Sequence, residues 1–325
     1  MVVTPRVHGG PDARGAALFD FSTNGNACGP CPDALAAVRA ADATRYPDAG
    51  YAALRARLAQ FHGVHAWRIV PAGSGSEFIF RASAWALHAG LHRVALPHHG
   101  YGDYAAAAVA HGLTQVPPDH ADLVWACEPS SPLGQAHAGL PKLAGEGRML
   151  VLDLAYEPLR LSGAQSLDPG QRDSVWQLWT PNKALGLTGV RGAYVIAPLG
   201  MRDIAVQLEA LAPSWVLGAH AVAMLQAWCM PSVQQWLADS RTTLRQWKHM
   251  QSDMLHAMGW RCEPGQANFM ACDPHVDTTA LLAHLRHRGV QLRDCASFGL
   301  PGCVRLGVQP PEAQAALRAA WEALQ

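Results

Sequence analysis

The stretch TPNKALGLTGVRGAY, residues 180–194, directly follows a short apolar run at 175–179. An apolar run of that length, bounded by turn-forming residues, predicts a buried strand, so the segment predicts a turn at a strand's carboxyl end. Within it Lys183 is followed by Gly186, Gly189 and Arg191. This puts an amine and a guanidinium on one compact turn with backbone room around them, which suits a Schiff base beside a phosphate. Lysine forms such a bond once burial or a neighbouring cation lowers its ammonium pKa, and Arg191 suits both that end and phosphate binding. The segment alone reads as well as a surface lysine in a Gly-rich turn.

Working outward, further candidate strands lie at 94–97, 123–126, 149–153 and 192–196, separated by Gly, Pro and Asp punctuation and by helix-length segments. That alternation predicts an α/β fold with a mostly parallel central sheet flanked by helices, and ligands of such sheets sit at the strands' carboxyl ends. After Pro213 the texture changes to a long helical region, then strands at 269–272, 291–293 and 304–308 with a helix at 278–288. This reads as a smaller α+β domain. The chain's 325 residues exceed what one core usually supports. The division expected is an N-terminal arm joining the small domain (1–36), a large domain (37–213) and a C-terminal small domain (214–325).

Two more stretches carry chemistry. In LVLDLAY, residues 150–156, Asp153 ends an apolar strand and Tyr156 follows. A buried aspartate needs a cationic partner or a full set of hydrogen bonds, and a pyridinium nitrogen supplies the first; capping the next helix is the alternative. In PAGSGSEFIF, residues 71–80, a Gly-Ser turn opens a helix whose free N–H groups suit an anion, or serve only as a cap.

Composition sets the outer limits. Twenty-five basic residues balance 25 acidic ones, and no stretch concentrates either sign, which argues against nucleic acid and anionic membrane as partners and for a small molecule. The opening MVVTPRVHGG is unlike a signal peptide, and no run nears ~20 apolar residues, so a cytoplasmic protein is expected. Eight scattered cysteines in a chain of this size suit reduced thiols, and no disulfide is expected. Cys28 and Cys31 have the spacing of a redox pair or half a zinc site, yet an irregular arm precedes them and no second pair completes a metal set.

Taken in order, GSGSE, HGYGDY (99–104), EPSSPLG (128–134), DLAY, NKALGLTGVR and RDCASFGLPGCVRLG (293–307) resemble the fold-type-I, pyridoxal-phosphate-dependent aminotransferases of class I/II. The similarity spans nearly the whole chain. Its pattern is closest to the histidinol-phosphate aminotransferases and, through HGG (8–10), DFSTNGNACGP (20–30) and RYPD (45–48), to the threonine-phosphate decarboxylases of cobalamin biosynthesis. The resemblance implies pyridoxal 5'-phosphate as cofactor, held covalently by Lys183. It implies Asp153 at the ring nitrogen, Tyr156 at the ring's phenolic oxygen and Tyr101 on the ring face. The phosphate would lie against Gly75, Ser76 and Glu77, with Thr180 and Arg191 closing the cup. Tyr46 would reach the phosphate of a neighbouring subunit, implying a homodimer with shared active sites. Arg305 would clamp the substrate carboxylate, with His8, Asn26 and Arg293 at the substrate's distal end. The implied reaction is decarboxylation of a phosphorylated amino acid. An amino transfer of the histidinol-phosphate type is the first alternative, and a weakly catalytic cofactor-binding homologue the second.

The chain departs from the family pattern at Ser131, which stands where an asparagine donates to the ring oxygen, at Asn182, where a serine or threonine often precedes the lysine, and at Leu154, where a glutamate is usual. Losing the amide donor is expected to raise the pH at which the lysine–cofactor bond gives up its proton. Ser131→Asn should therefore lower the midpoint when the bound cofactor's visible absorbance is titrated against pH, and identical midpoints in the two proteins would refute the proposal.

Overall fold

The computed structural model describes residues 8–137, 139–144 and 148–324. Its strands, in chain order, are β1 (Phe19–Asp20), β2 (Ile69–Ala72), β3 (Arg93–Ala95), β4 (Thr114–Gln115), β5 (Leu123–Cys127), β6 (Met149–Asp153) and β7 (Trp176–Trp179). They continue with β8 (Ala193–Ile196), β9 (Arg261–Cys262), β10 (Phe269–Asp273), β11 (Val290–Gln291), β12 (Arg293–Asp294) and β13 (Val304–Gly307).

A seven-stranded sheet runs β2-β8-β7-β6-β5-β3-β4. Every neighbouring pair in it is parallel except those made by β8, which runs antiparallel to both β2 and β7. Helices cover both faces, so the central strands are buried along their whole length and read as apolar runs interrupted by Gln177 on β7 and Asp153 at the end of β6. The period of two then sorts their side chains. On β6, Leu150 and Leu152 join the core on one face of the sheet, while Met149 and Val151 join the core on the other. Asp153, in phase with Val151, points to the side occupied by Tyr104 and Trp125.

Helix Gly75–His88 packs on that side. Ser74 caps it by accepting from the Glu77 N–H at 3.0 Å, and Phe78, Ile79, Ala82, Trp85 and Ala86 form its buried stripe. The 27-residue helix Pro231–Ala257 buries a narrower stripe through Val233, Leu237, Leu244 and Leu255, with Pro231 at its first turn. A second, antiparallel sheet has the order β12-β13-β10-β9, and β1 pairs with β11 in a two-stranded parallel ribbon. The arm after residue 8 is thereby tied to the C-terminal part of the chain.

Two expectations need correction, and one strand was not foreseen. The strand expected at 291–293 is two strands, because the chain changes partners at Leu292: Gln291 pairs with β1 and Arg293 with β13. Strand β2 is the unforeseen one: all four of its residues are buried, so it shows no apolar alternation, and its Pro71 is tolerated because β2 lies at the sheet's edge. The outward carbonyls of β2 are taken by side chains: Arg55 Nη1 donates to Ile69 O at 2.6 Å, and Arg81 Nη2 to Pro71 O at 2.9 Å. Cys262 and Cys272 form a disulfide, contrary to the expected absence of one. They are register partners on β9 and β10 with Cα atoms 4.0 Å apart, a proximity that sequence spacing does not reveal.

The turn that bears Lys183 is held from below. Asn26 N–H donates to Lys183 O at 2.9 Å and Cys31 N–H to Leu185 O at 2.9 Å. Gly186 adopts φ +66°, and a Cβ there would lie 2.5 Å from Gly29 O. Gly186→Ala combines left-handed strain with a backbone clash, so it is expected to cost about 2–4 kcal/mol in urea unfolding. A loss within about 1 kcal/mol would mean the Gly29 turn yields freely and does not fix the lysine.

Candidate active site

One cavity of about 1110 Å³ opens at the carboxyl ends of β5, β6 and β7, where a doubly covered parallel sheet presents its ligand site. Because β6 and β7 are parallel neighbours with Asp153 opposite Leu178, the residues just beyond them converge. Asp153, Tyr156, Thr180 and Lys183 all line the cavity, with Tyr101 above and Gly75 and Ser76 at the opening of their helix.

Asp153 is 7% exposed. Its Oδ2 accepts from Tyr104 Oη at 2.6 Å and its Oδ1 from Ala155 N–H at 2.9 Å. Burial raises its pKa above the ordinary carboxylate value, opposed by the Tyr104 and Ala155 hydrogen bonds and by the charge of Lys183. A cation directly against the carboxylate would offset the desolvation that remains. Lys183 Nζ stands 5.5 Å from the Tyr156 ring centroid, and the Lys183 backbone N–H donates to Asn182 Oδ1 at 3.0 Å. Tyr101 Oη and Ser76 Oγ are 3.1 Å apart, and burial pushes the Tyr101 phenol up to about 12, so it stays neutral.

The far wall carries two arginines. Arg293 and Arg305 are register partners on β12 and β13, at 4% and 6% exposure. Arg305 donates from Nη1 to Ser131 Oγ at 2.9 Å and from Nη2 to Ser22 O at 3.0 Å, and among the described residues it forms no ion pair with a carboxylate. Arg293 Nη2 donates to Ser297 Oγ at 2.6 Å. The Phe298 ring lies 4.7 Å from the Arg293 guanidinium carbon and 5.5 Å from that of Arg305. Burial, and next the charge of Arg305, lowers the Arg293 pKa. Two cations held this close in a partly dry wall favour anionic ligands.

His8 lines the same cavity, its ring 5.7 Å from that of Tyr101, and Arg191 lies exposed at the rim. Two residues expected at the site, Asn26 and Glu77, are engaged elsewhere, and Tyr46, expected at a neighbouring subunit's site, lies on the surface. Asn26 is buried with its amide engaged, donating to Ala184 O at 3.0 Å and accepting from Cys28 N–H at 3.0 Å, so it braces the lysine turn instead of meeting a substrate. Glu77 is also spent: its N–H goes to the Ser74 cap, and its carboxylate takes Gly73 N–H at 2.9 Å and pairs with Arg81 at 2.7 Å. Tyr46 is 77% exposed and stacks on Trp215 at 4.5 Å, outside the lining of this chain's own cavity. Residues the sequence reading passed over include Tyr104, one helical turn after Tyr101, and Ser22 and Asn24 in the STNGN run.

The arrangement fits a phosphorylated pyridine aldehyde. Among the described residues Thr180 Oγ1, buried beside the helix opening at Gly75, has no hydrogen-bond partner, and the Asp153 carboxylate has no cation against it beyond the charge of Lys183. A phosphate and a protonated ring nitrogen would satisfy those two groups in turn. Among the described residues no group of three or more His, Cys, Asp or Glu is placed to hold a metal, and no helix is long and apolar enough to cross a membrane.

Comparison with known proteins bears on this geometry. The profile of the family described as Aminotransferase class I and II matches residues 16–324. A histidinol-phosphate aminotransferase from Jannaschia sp. (strain CCS1) is 30% identical over 94% of this chain and 90% of its own length. Among solved structures, the histidinol-phosphate aminotransferase from Sinorhizobium meliloti in complex with pyridoxal-5'-phosphate superposes with a TM-score of 0.79 at 21% identity, covering 93% of this chain and 90% of that one. The L-threonine-O-3-phosphate decarboxylase from Porphyromonas gingivalis gives 0.72 at 18% identity, covering 89% and 92%. At those identities the two structures speak for the fold.

Because the Asp153 carboxyl is raised above 3.8, the folded chain binds that proton more tightly than the unfolded chain. Its contribution to stability is complete below 3.8 and is lost as pH rises through the folded value. In protein freed of ligands, Asp153→Asn is therefore expected to lack this loss and to match or exceed the native urea midpoint at neutral pH. Stability curves that run parallel in pH for the two proteins would remove Asp153 as the source.

Proposed function

The chain belongs to the class I and II aminotransferases, its cofactor is pyridoxal 5'-phosphate, and we propose that it acts on a phosphorylated amino acid, most specifically as a decarboxylase of O-phospho-L-threonine. The observation that carries the reading is the pairing of Arg293 with Arg305 in one cavity with His8. A substrate bearing a carboxylate and a phosphate on one small molecule matches two guanidiniums a strand apart, each suited to bidentate contact.

In this reading Lys183 would hold the cofactor through Nζ, with Asp153 toward the ring nitrogen, Tyr156 toward the phenolic oxygen and Tyr101 against the ring. The phosphate lies at Gly75 and Ser76, closed by Thr180 and Arg191. Ser131 bonds Arg305, which supports a place for it on the carboxylate side of the pocket. The cofactor supplies an electron-accepting ring joined to the substrate's amine. Arg305 orients the substrate through its carboxylate, and Arg293 and His8 hold the phosphate. When the carboxylate is lost as carbon dioxide, Lys183 Nζ would return one proton to the α-carbon, whose electron pair the bound cofactor would have accommodated. The wall of Phe298, Tyr101 and Tyr156 keeps bulk water from competing for that carbon.

A second reading, amino transfer of the histidinol-phosphate type, draws support from Arg305 itself. A guanidinium–carboxylate pair persists through amino transfer but is surrendered when the carboxylate becomes neutral carbon dioxide, so a strong clamp helps a transferase more. We also propose a cytoplasmic homodimer in which Tyr46, exposed in the single chain, reaches the neighbouring active site. The proposed division is an arm at 1–36 with domains at 37–213 and 214–325.

Incubating the holoenzyme with O-phospho-L-threonine, and separately with histidinol phosphate plus 2-oxoglutarate, decides between the readings. Carbon dioxide without glutamate is expected. Glutamate would select the transferase, and neither product would leave a weakly catalytic cofactor-binding homologue. Lys183→Ala should reduce whichever product forms by about 10²–10⁴-fold.

A further inference from the structure

The N-terminal arm and the carboxylate-side arginine meet at one residue. Ser22 is 1% exposed and follows β1 in a turn organised by Asp20. The Asp20 carboxylate accepts from Ser22 N–H at 2.7 Å, Ser22 Oγ at 2.6 Å and Thr23 Oγ1 at 2.7 Å. With its proton committed to Asp20, the Ser22 hydroxyl offers lone pairs, and Gly10 N–H donates to it at 2.8 Å. The Ser22 carbonyl accepts from Arg305 Nη2 at 3.0 Å.

The contact with the arm is close. A Cβ on Gly9 would come within 2.2 Å of Ser22 O, so only glycine lets the arm lie against this turn. Gly10 is held from its other side as well, its carbonyl accepting from Gln291 Nε2 at 2.7 Å, two residues before Arg293. The backbone after His8 is thus bonded both to the turn that seats Arg305 and to the strand leading into Arg293.

We infer that Ser22 is a positioning residue that couples the two ends of the substrate pocket, so that His8 on the arm and Arg305 on the sheet are set together and not independently. The inference rests on the two-anion reading above and adds a mechanism for its selectivity. A ligand that engages Arg305 steadies the Ser22 carbonyl, and the turn in turn steadies the Gly10 N–H and the arm. By reciprocity, a ligand group held at His8 steadies Arg305. A molecule with both groups gains more than the sum of its halves, and one with a carboxylate alone gains little from the arm.

The test follows amide exchange at Gly9 and Gly10 in the holoenzyme, for the native protein, Ser22→Ala, Ser22→Thr, Arg305→Lys and the Ser22→Ala/Arg305→Lys double variant. Arg305→Lys is expected to speed Gly10 exchange in the native background and to add nothing in Ser22→Ala, with Ser22→Thr close to native. Additive effects overturn the inference. So does Arg305→Lys leaving Gly10 unchanged, a result that can be read even if Ser22→Ala does not fold. With O-phospho-L-threonine and L-threonine as probes of the visible band, the preference for the phosphorylated probe should narrow by about tenfold in Ser22→Ala and return in Ser22→Thr. An unchanged preference overturns the inference. If the native holoenzyme shows no preference while the exchange effects remain non-additive, the two-anion reading fails and the coupling through Ser22 stands.

Discussion

A negative charge buried at the end of the central strand β6 is the constraint around which the site is built. Asp153 has lost nearly all contact with water, and a carboxylate in that position is costly unless donors and a cation surround it. Tyr104 and the Ala155 N–H supply donors, and Tyr104 is itself fixed by stacking on Trp125 at 5.2 Å. The lysine on the next parallel strand's turn supplies opposing charge from across the cavity. Remaining demand is left for a ligand, which is how a stability deficit in the empty protein becomes affinity in the loaded one.

Charge is distributed unevenly around that centre. The carboxylate lies at the floor, the helix opening at Gly75 and Arg191 at one side, and the paired arginines at the other. The Phe298 ring lies near both guanidiniums, and its face eases the proximity of like charges. The turn bearing Phe298 is joined to the loop before Tyr101 by His99 Nδ1 and Phe298 O at 2.7 Å. Ring-covering and anion-binding walls therefore share a fastening.

Much of this was legible in the sequence where periodicity operates. The buried runs of β5, β6 and β7 announce a parallel sheet, and the strand-end positions of Asp153 and Lys183 follow from it. Legibility fails where a turn decides the outcome. Asn24 and Asn26 are two residues apart in an aperiodic segment, and only the folded turn shows that Asn26 is consumed by Ala184 and Cys28 while Asn24 borders the cavity. Glu77 looks like an anion-site neighbour until Ser74 is seen to hold its N–H. Tyr104 was quoted within its motif yet has no role until β6 brings Asp153 beneath it. The cysteines at 262 and 272 became partners through an antiparallel register that no local pattern encodes.

The seven-stranded sheet offers no open border for another chain to extend. At one margin Pro71 removes a donor, and the guanidinium groups of Arg55 and Arg81 occupy acceptors that a foreign strand would need; at the other, β4 is only two residues long. Both margins are blunted in the ways that discourage edge-to-edge aggregation. An assembly across these margins would accordingly have to be built from side-chain surfaces and not from a continued ladder, because the guanidiniums of Arg55 and Arg81 already stand where a docking strand would donate.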